Sequence, residues 1–177
     1  MAEIILYIAA SLDGFIARED GGIDWLAIAD SSDTVYGYAD FYRSVDALVM
    51  GSRTYEQIVD MGDWPYTGKI SYILTKRKLN SIRDDVIITS SQPDKVVSEI
   101  EAQNFRRIWL VGGAELTSSF RKSGLVTEYI ISIIPVILGN GIPLFLPGCP
   151  DEELLHVESC NYPSGVVQVT YRRKYDT

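Results

Sequence analysis

The chain has 177 residues, of which 46% are hydrophobic and 23% charged, a composition ordinary for a soluble globular protein large enough to bury a core. Its 24 acidic and 16 basic residues give a net charge of −8, which argues against nucleic acid or an anionic membrane as a general partner. We find no signal-peptide pattern, no apolar run near the ~20 residues of a membrane span, and no paired-cysteine motif, so a cytoplasmic location is expected.

The first two thirds of the chain alternate between short apolar segments and amphipathic segments. The first segment, residues 4–10, is apolar on both faces, which is typical of a central strand buried on both sides. Strands are predicted at residues 4–10, 46–50, 70–74, 86–89 and 107–111, and helices at residues 31–43, 54–60, 93–103 and 115–122. This alternation predicts a largely parallel sheet with helices on its faces.

The last third of the chain has a different pattern. A strand is predicted at residues 128–134, and residues 154–162 and 165–175 have the character of a strand pair, the second with alternating apolar and polar residues. We therefore expect one α/β domain over residues 1–177, with three layers and a mixed, mostly parallel sheet whose C-terminal strands are antiparallel.

Two junctions run from a strand through glycine into a helix. One is Val111-Gly112-Gly113-Ala114-Glu115, and the other is Gly51-Ser52-Arg53-Thr54. The first N–H groups of a helix lack partners and carry partial positive charge, so both junctions suit a phosphate. Two such junctions in a small chain favour a dinucleotide, although a tight turn without a ligand also explains each one.

A basic segment follows the third predicted strand. Thr75, Lys76 and Arg77 form a candidate site for a phosphate monoester, the group that distinguishes NADPH from NADH. The alternative is a solvated basic turn. The chain lacks both GxGxxG after the first strand and GxxxxGK[ST], which argues against an ordinary Rossmann dehydrogenase and against a P-loop NTPase. The single histidine, His156, has no cluster of metal ligands near it in sequence, so no metal site is expected.

Two loops invite a functional interpretation. The segment from Gly14 to Trp25 contains Gly21 and Gly22, and it is either an active-site lid or an ordinary surface loop anchored by the tryptophan. The Gly/Pro-rich segment 135–150 contains several large apolar side chains, namely Ile137, Leu138, Leu144, Phe145 and Leu146. Exposed, they would form a partner surface; alternatively, this loop folds over the chain's own core.

Four motifs in order resemble the dihydrofolate reductase-like superfamily. They are residues 9–17 (AASLDGFIA), 49–56 (VMGSRTYE), 111–113 (VGG) and 135–145 (PVILGNGIPLF). The chain more closely resembles stand-alone bacterial proteins related to the reductase domain of the riboflavin-biosynthesis deaminase-reductase. The resemblance covers nearly the whole chain and implies an eight-stranded mixed sheet, NADPH as hydride donor and a homodimer.

The resemblance also implies residue roles. Gly51, Arg53 and Thr54, with Ser52 between them, match the helix start that holds the pyrophosphate. The second glycine junction corresponds to Gly112 and Gly113, flanked by Val111, Ala114 and Glu115. Thr75, Lys76 and Arg77 fall where the family binds the 2′-phosphate, and Ala10 matches the strand end that meets the nicotinamide. The loop from Ser11 to Trp25 corresponds to the mobile loop beside it.

The catalytic carboxylate is less clearly indicated. Asp30 follows Trp25 by five residues, the spacing of the carboxylate that binds the pterin ring in dihydrofolate reductases, so Trp25 and Asp30 are expected to contact substrate. Asp30 is the first candidate for proton transfer and Asp13 the second, against a helix N-terminal charge and a turn aspartate as their structural alternatives. The expected function is NADPH-dependent reduction of a small pyrimidine-ribosyl or pterin-like molecule. The alternatives are a true dihydrofolate reductase and an inactive dinucleotide-binding sensor or scaffold.

Overall fold

The computed structural model describes residues 1–29, 37–81 and 83–174. Its strands are β1 Glu3–Ser11, β2 Phe15–Ala17, β3 Ala47–Gly51, β4 Ile70–Leu74, β5 Val86–Thr89, β6 Arg107–Gly112, β7 Glu128–Ile134, β8 Ile142–Pro143, β9 Leu154–Asn161 and β10 Val167–Arg173. Its helices are α1 Tyr38–Ser44, α2 Ser52–Asp60, α3 Pro93–Glu101 and α4 Ala114–Lys122, with a 3-10 helix at Asp24–Ala29. None of these helices is long and apolar enough to cross a membrane, a finding that covers the described residues.

Eight strands form one mixed sheet in the order β5-β4-β3-β6-β1-β7-β10-β9. The six strands from β5 to β7 pair in parallel, and β10 is antiparallel to both of its neighbours. The predicted α/β architecture, with its mostly parallel sheet and antiparallel C-terminal strands, is therefore confirmed. The parallel strands place their carboxyl ends at one edge of the sheet, where ligands of open α/β sheets bind.

The alternating side chains of the central strand separate the two cores. Ile4 and Leu6 of β1 belong to a cluster that includes Val96 of α3 and Phe120 of α4. Ile5 belongs to a second cluster on the opposite face, which includes residues of α1 and α2. Because successive strand residues point to opposite faces, an apolar run without alternation is what a sheet covered on both sides requires. The helices therefore form the outer two of three layers.

Two features go beyond the sequence-based expectations. β2 pairs with β8, so the segment 135–150 contains a short strand rather than only a loop. Gly141 precedes β8 with a φ of 152°, and a Cβ there would collide with the carbonyl oxygen of Ala17. The helix predicted at residues 31–43 is observed only as α1, and residues 30–36 lie outside the described residues.

Candidate active site

A cleft of about 1880 Å³ runs along the carboxyl edge of the sheet. One part, here called the glycine side, is lined by residues 51–54, 75–77 and 113–116. The other part, the aromatic side, is lined by Tyr7, Tyr38, Tyr66 and Trp109, and by Ser132 of β7. Since β4 and β7 stand four places apart in the sheet, the basic turn after β4 and Ser132 of β7 are separated by roughly 19 Å, four strand spacings of ~4.8 Å.

The two predicted glycine junctions lie side by side. β3 and β6 are neighbouring parallel strands in which Met50 is opposite Gly112, and each strand leads directly into a helix. Gly51 and Gly113 are the N-cap residues of α2 and α4, and neither helix has a side-chain cap. The first-turn N–H groups of both helices therefore lack an intrahelical or side-chain partner, which leaves donors and partial positive charge for an anion. Gly112 has a φ of 114°, a conformation that disfavours any residue with a Cβ.

The basic residues of the glycine side are partly neutralised by carboxylates. Arg77 Nη2 lies 2.5 Å from Glu56 Oε2, and Arg53 Nη1 lies 3.5 Å from Glu115 Oε1. Both pairs are solvent-exposed, so each contributes little to stability and can be exchanged for a ligand anion. Thr75 Oγ1 accepts a hydrogen bond from the backbone N–H of Arg77, which orients the basic turn.

The structure brings most of the expected cofactor-binding residues into one cleft. Those that line it are Gly51, Ser52, Arg53, Thr54, Thr75, Lys76, Arg77, Val111, Gly113, Ala114 and Glu115. Ala10 is buried in β1 and Gly112 in β6, and the adjacent Ala9 and Gly113 face the cleft instead. The two buried residues can therefore contribute backbone groups and close approach rather than side-chain contacts.

Aromatic rings of β1, α1 and β6 form one wall of the aromatic side. Tyr7 stacks on Phe41 with ring centroids 4.3 Å apart, and the edge of Trp109 packs against both rings. The indole N–H of Trp109 donates to the backbone oxygen of Tyr7. Burial raises the pKa of Tyr7 above its ordinary value and that of Tyr38 to about 12. Both phenols are protonated at neutral pH, as an ordinary tyrosine is, and the shift extends the neutral form to higher pH.

A row of polar side chains crosses three strands beneath this wall. Gln168 of β10 lies directly opposite Ser132 of β7. Its Nε2 donates to Ser132 Oγ at 3.0 Å and to Tyr7 Oη at 3.4 Å. Ser132 and Tyr7 line the cleft, whereas Gln168 stands behind them. The amide thus fixes two hydroxyl groups at the edge of an otherwise apolar wall.

The loop between β2 and the 3-10 helix covers part of the cleft. Residues 19–23 line it, and Gln57 Nε2 of α2 donates to the carbonyl oxygen of Gly21 at 2.9 Å. Within the loop, Arg18 forms a two-point ion pair with Asp24 at 2.7 and 2.9 Å. This loop therefore connects directly to the helix that begins at the first glycine junction.

The candidate substrate and catalytic residues have different placements. Asp13 Oδ1 and Oδ2 accept hydrogen bonds from Ser11 Oγ and from the backbone N–H groups of Leu138 and Gly139, and these lower its pKa. Asp13 thus fastens the segment after β7 to the β1 turn and does not occur among the described residues that line the cleft. Trp25 is buried against the end of β7, also behind the lining. Asp30 lies outside the described residues.

Several residues that line the cleft or stand directly behind its lining were missed by the sequence-based interpretation. Tyr7, Gln57 and Gln168 act through partners 30 or more residues away in the chain, and no local pattern announces such contacts. Ser132 could have been recognised from the sequence, because it is the one uncharged polar residue in the otherwise apolar part of the β7 segment EYIISII. A polar side chain at a buried strand position requires a hydrogen-bond partner, which Gln168 provides.

Comparisons with known proteins identify the family and the fold of the chain. The family model of the RibD C-terminal domain matches residues 2–168. The uncharacterized protein YwjB of Bacillus subtilis is 39% identical over 142 residues, which cover 80% of this chain and 81% of that protein. A Shewanella sp. PV-4 protein named for riboflavin biosynthesis is 29% identical in its crystal structure, with a TM-score of 0.89 and coverage of 99% and 100%.

A two-activity protein of Thermotoga maritima shares the fold at lower identity. It is described as a diaminohydroxyphosphoribosylaminopyrimidine deaminase and 5-amino-6-(5-phosphoribosylamino)uracil reductase. The two structures have a TM-score of 0.74 and 14% identity, and the match covers 98% of this chain but 57% of the Thermotoga protein. The present chain therefore corresponds to just over half of that protein.

Proposed function

The chain belongs to the RibD C-terminal domain family, and we propose that it is an NADPH-dependent reductase that transfers a hydride to a small substrate in the cleft. The observation that carries the proposal is the pair of adjacent helix N-termini at Gly51 and Gly113, both without side-chain caps. This pair supplies convergent backbone donors for a pyrophosphate, next to a basic turn that suits a phosphate monoester.

The residues of the glycine side fit a dinucleotide phosphate. The starts of α2 and α4, with Arg53 and Thr54, would hold the pyrophosphate. Lys76 and Arg77 would hold the 2′-phosphate, and this contact would favour NADPH over NADH. The end of β1 at Ala9 and Ala10 would face the nicotinamide. NADPH supplies the hydride when bound, and the protein orients the reactants and excludes water.

The aromatic side is the proposed substrate site. A pyrimidine-ribosyl or pterin-like ring would lie against the wall that contains Tyr7 and Trp109, with its polar edge toward Ser132. Tyr7 and Tyr38 are neutral there at neutral pH, as an ordinary tyrosine is, and burial raises the pKa of both phenols further. Asp30 remains the first candidate for proton donation, because the hydrogen bonds of Asp13 join two loops outside the cleft lining.

We also propose that the protein forms a homodimer through its C-terminal strands. β9 is the edge strand of the sheet, and Leu154, Leu155 and Val157 on it are 39%, 53% and 47% exposed. Residues 135–150 were expected either to form a partner surface or to fold over the chain's own core, and they do some of each. Leu144 is buried in the core, whereas Ile137 is 70% exposed and available to a partner. Sedimentation equilibrium tests the proposal, and a monomer at all concentrations contradicts it.

A cofactor titration and a substrate assay test the reductase. NADPH is expected to bind more tightly than NADH and to be oxidised in the presence of a pyrimidine riboside or a reduced pterin. Absence of binding by both cofactors at millimolar concentrations would refute the proposal. Binding without oxidation of any ring substrate would favour the sensor or scaffold, and oxidation by dihydrofolate alone would indicate a dihydrofolate reductase.

A further inference from the structure

We infer that residues 18–24, here called the lid, close over the glycine side of the cleft, and that a hydrogen bond from Gln57 to Gly21 sets how often the lid opens to let a dinucleotide enter and leave. The inference rests on the proposed function for the identity of the ligand. It goes beyond that function by assigning Gln57 a positioning role away from the phosphates. Three observations carry it: the path of the lid, its internal hydrogen bonds and the nature of its contact with α2.

The lid starts and ends on one side of the cleft, and its tip reaches the other side. It leaves β2, which follows β1, and it returns into the 3-10 helix, which packs against the end of β7 through Trp25. Between these ends, Gly21 contacts α2, the helix that follows β3. In the sheet, β6 lies between β3 and β1. The tip of the lid therefore crosses the end of β6, where Gly113 precedes α4.

This path places the lid beside the phosphate-binding end of α2. Gln57 comes five residues after Ser52, the first residue of α2, so its contact lies roughly 8 Å along the helix from its start, at a rise of ~1.5 Å per residue. Residues 19–23 line the same cleft as Gly51 and Gly113. A pyrophosphate at the two helix starts would therefore lie between the edge of the sheet and the closed lid.

The lid is a closed turn with one hydrogen bond to the far side of the cleft. The backbone N–H of Arg18 donates to the carbonyl oxygen of Gly22 at 2.9 Å, and the Arg18–Asp24 ion pair joins the two ends of the turn. Among the described residues, the bond from Gln57 is the one hydrogen bond that joins residues 18–22 to an element outside the lid. Opening therefore breaks this bond and leaves the turn itself intact.

Both partners of the hydrogen bond belong to the protein. The Nε2 amide of Gln57 donates to a backbone oxygen at 2.9 Å, and the two residues are 36 positions apart in the chain. The bond therefore stabilises the closed lid equally with and without a cofactor beneath it, whereas a contact with the cofactor itself would stabilise only the bound state. Since a closed lid obstructs entry and departure alike, loss of the bond should accelerate both.

Stopped-flow measurement of NADPH binding to the whole chain tests the inference. Gln57→Met keeps an unbranched side chain and a high helix propensity but removes the donor. It should raise the association and dissociation rate constants by about twofold to tenfold each, and leave the Kd unchanged within about twofold. Gln103→Met is the matched control and should change neither rate constant, because Gln103 donates to Tyr72 Oη and neither residue is among the described residues that line the cleft.

Backbone amide relaxation by nuclear magnetic resonance gives a readout that needs no ligand. In the protein without cofactor, Gln57→Met should increase the mobility of residues 19–22 on the nanosecond or the millisecond timescale, because it removes their bond to α2. Gln103→Met should leave these residues as they are in the unmodified protein. Unchanged mobility in Gln57→Met would overturn the inference.

The kinetic outcomes separate this inference from the proposed function. Unchanged rate constants in Gln57→Met, or equal changes in Gln103→Met, would overturn it. Faster dissociation alone, with a weaker Kd, would also overturn it, since this pattern indicates a contact made only in the bound state. Failure of both NADPH and NADH to bind the unmodified protein would overturn the cofactor assignment, and the mobility of residues 19–22 would then decide the role of Gln57.

Discussion

Removal of the basic turn after β4 should affect NADPH far more than NADH. In the double variant Lys76→Ala/Arg77→Ala, the proposed 2′-phosphate loses two charged donors, each worth about 1.5–3 kcal/mol in a hydrogen bond to a charged group. The side chains are exposed, and Arg77 already pairs with Glu56 at 2.5 Å, so solvent screening and this competing pair reduce the net value. We expect a loss of about 2 kcal/mol, or about 30-fold in the Kd of NADPH.

Titration followed by tryptophan fluorescence measures this loss, since Trp109 lines the cleft. NADH, which lacks the 2′-phosphate, should bind the variant and the unmodified protein equally. Lys78→Ala is the matched control, because Lys78 is the next basic residue and is not among the described residues that line the cleft. Equal weakening of NADPH and NADH, or a loss in Lys78→Ala as large as in the double variant, would refute the assignment of the basic turn.

Four further variants test particular contacts. Glu56→Gln should free Arg77 and tighten NADPH, but not NADH, by up to about fivefold in the same titration. Gly141→Ala should lower the free energy of unfolding by about 1–3 kcal/mol in urea, because its φ and the Ala17 carbonyl exclude a side chain; an unchanged stability would contradict this. Ser71→Ala should be neutral or stabilising by up to about 1 kcal/mol, since the buried Ser71 Oγ has no hydrogen-bond partner among the described residues; clear destabilisation would argue otherwise. The pKa of Asp13 is lowered, chiefly by the hydrogen bond that it accepts from Ser11. The ionised carboxylate therefore stabilises the folded state above the ordinary carboxyl pKa, and this stabilisation is lost as the pH falls through the lowered pKa. Asp13→Asn should therefore lower the melting temperature at neutral pH and flatten its acid dependence, whereas an unchanged acid profile would contradict this role.

The architecture could be predicted because local sequence determines it. Residues 4–10 lack alternation because β1 is covered on both faces, and the short strand-helix alternation that follows fits a parallel sheet. The antiparallel end was indicated by the alternation in residues 165–175. The strand pair β2–β8 was not, because it joins two segments of two or three residues that lie more than 120 residues apart.

The candidate site could be predicted in part for the same reason. Each glycine junction is a local motif, so its position at a helix N-terminus follows from a few neighbouring residues. The contacts of Gln57 with Gly21 and of Gln168 with Ser132 depend on how distant elements pack, and no spacing rule contains them. Asp13 shows that a local pattern can also mislead. Its residue type and its position in the sequence suggested a catalytic role, whereas its hydrogen bonds join two loops.

Amide hydrogen exchange with and without NADPH tests the central claim most directly. If the cofactor lies across the two glycine junctions, exchange should slow at residues 52–54 and at residues 114–116, where the first-turn N–H groups gain a phosphate partner. NADH should protect the same amides, whereas only NADPH should also protect residues 75–77. Binding of NADPH without protection at either helix start would contradict the account.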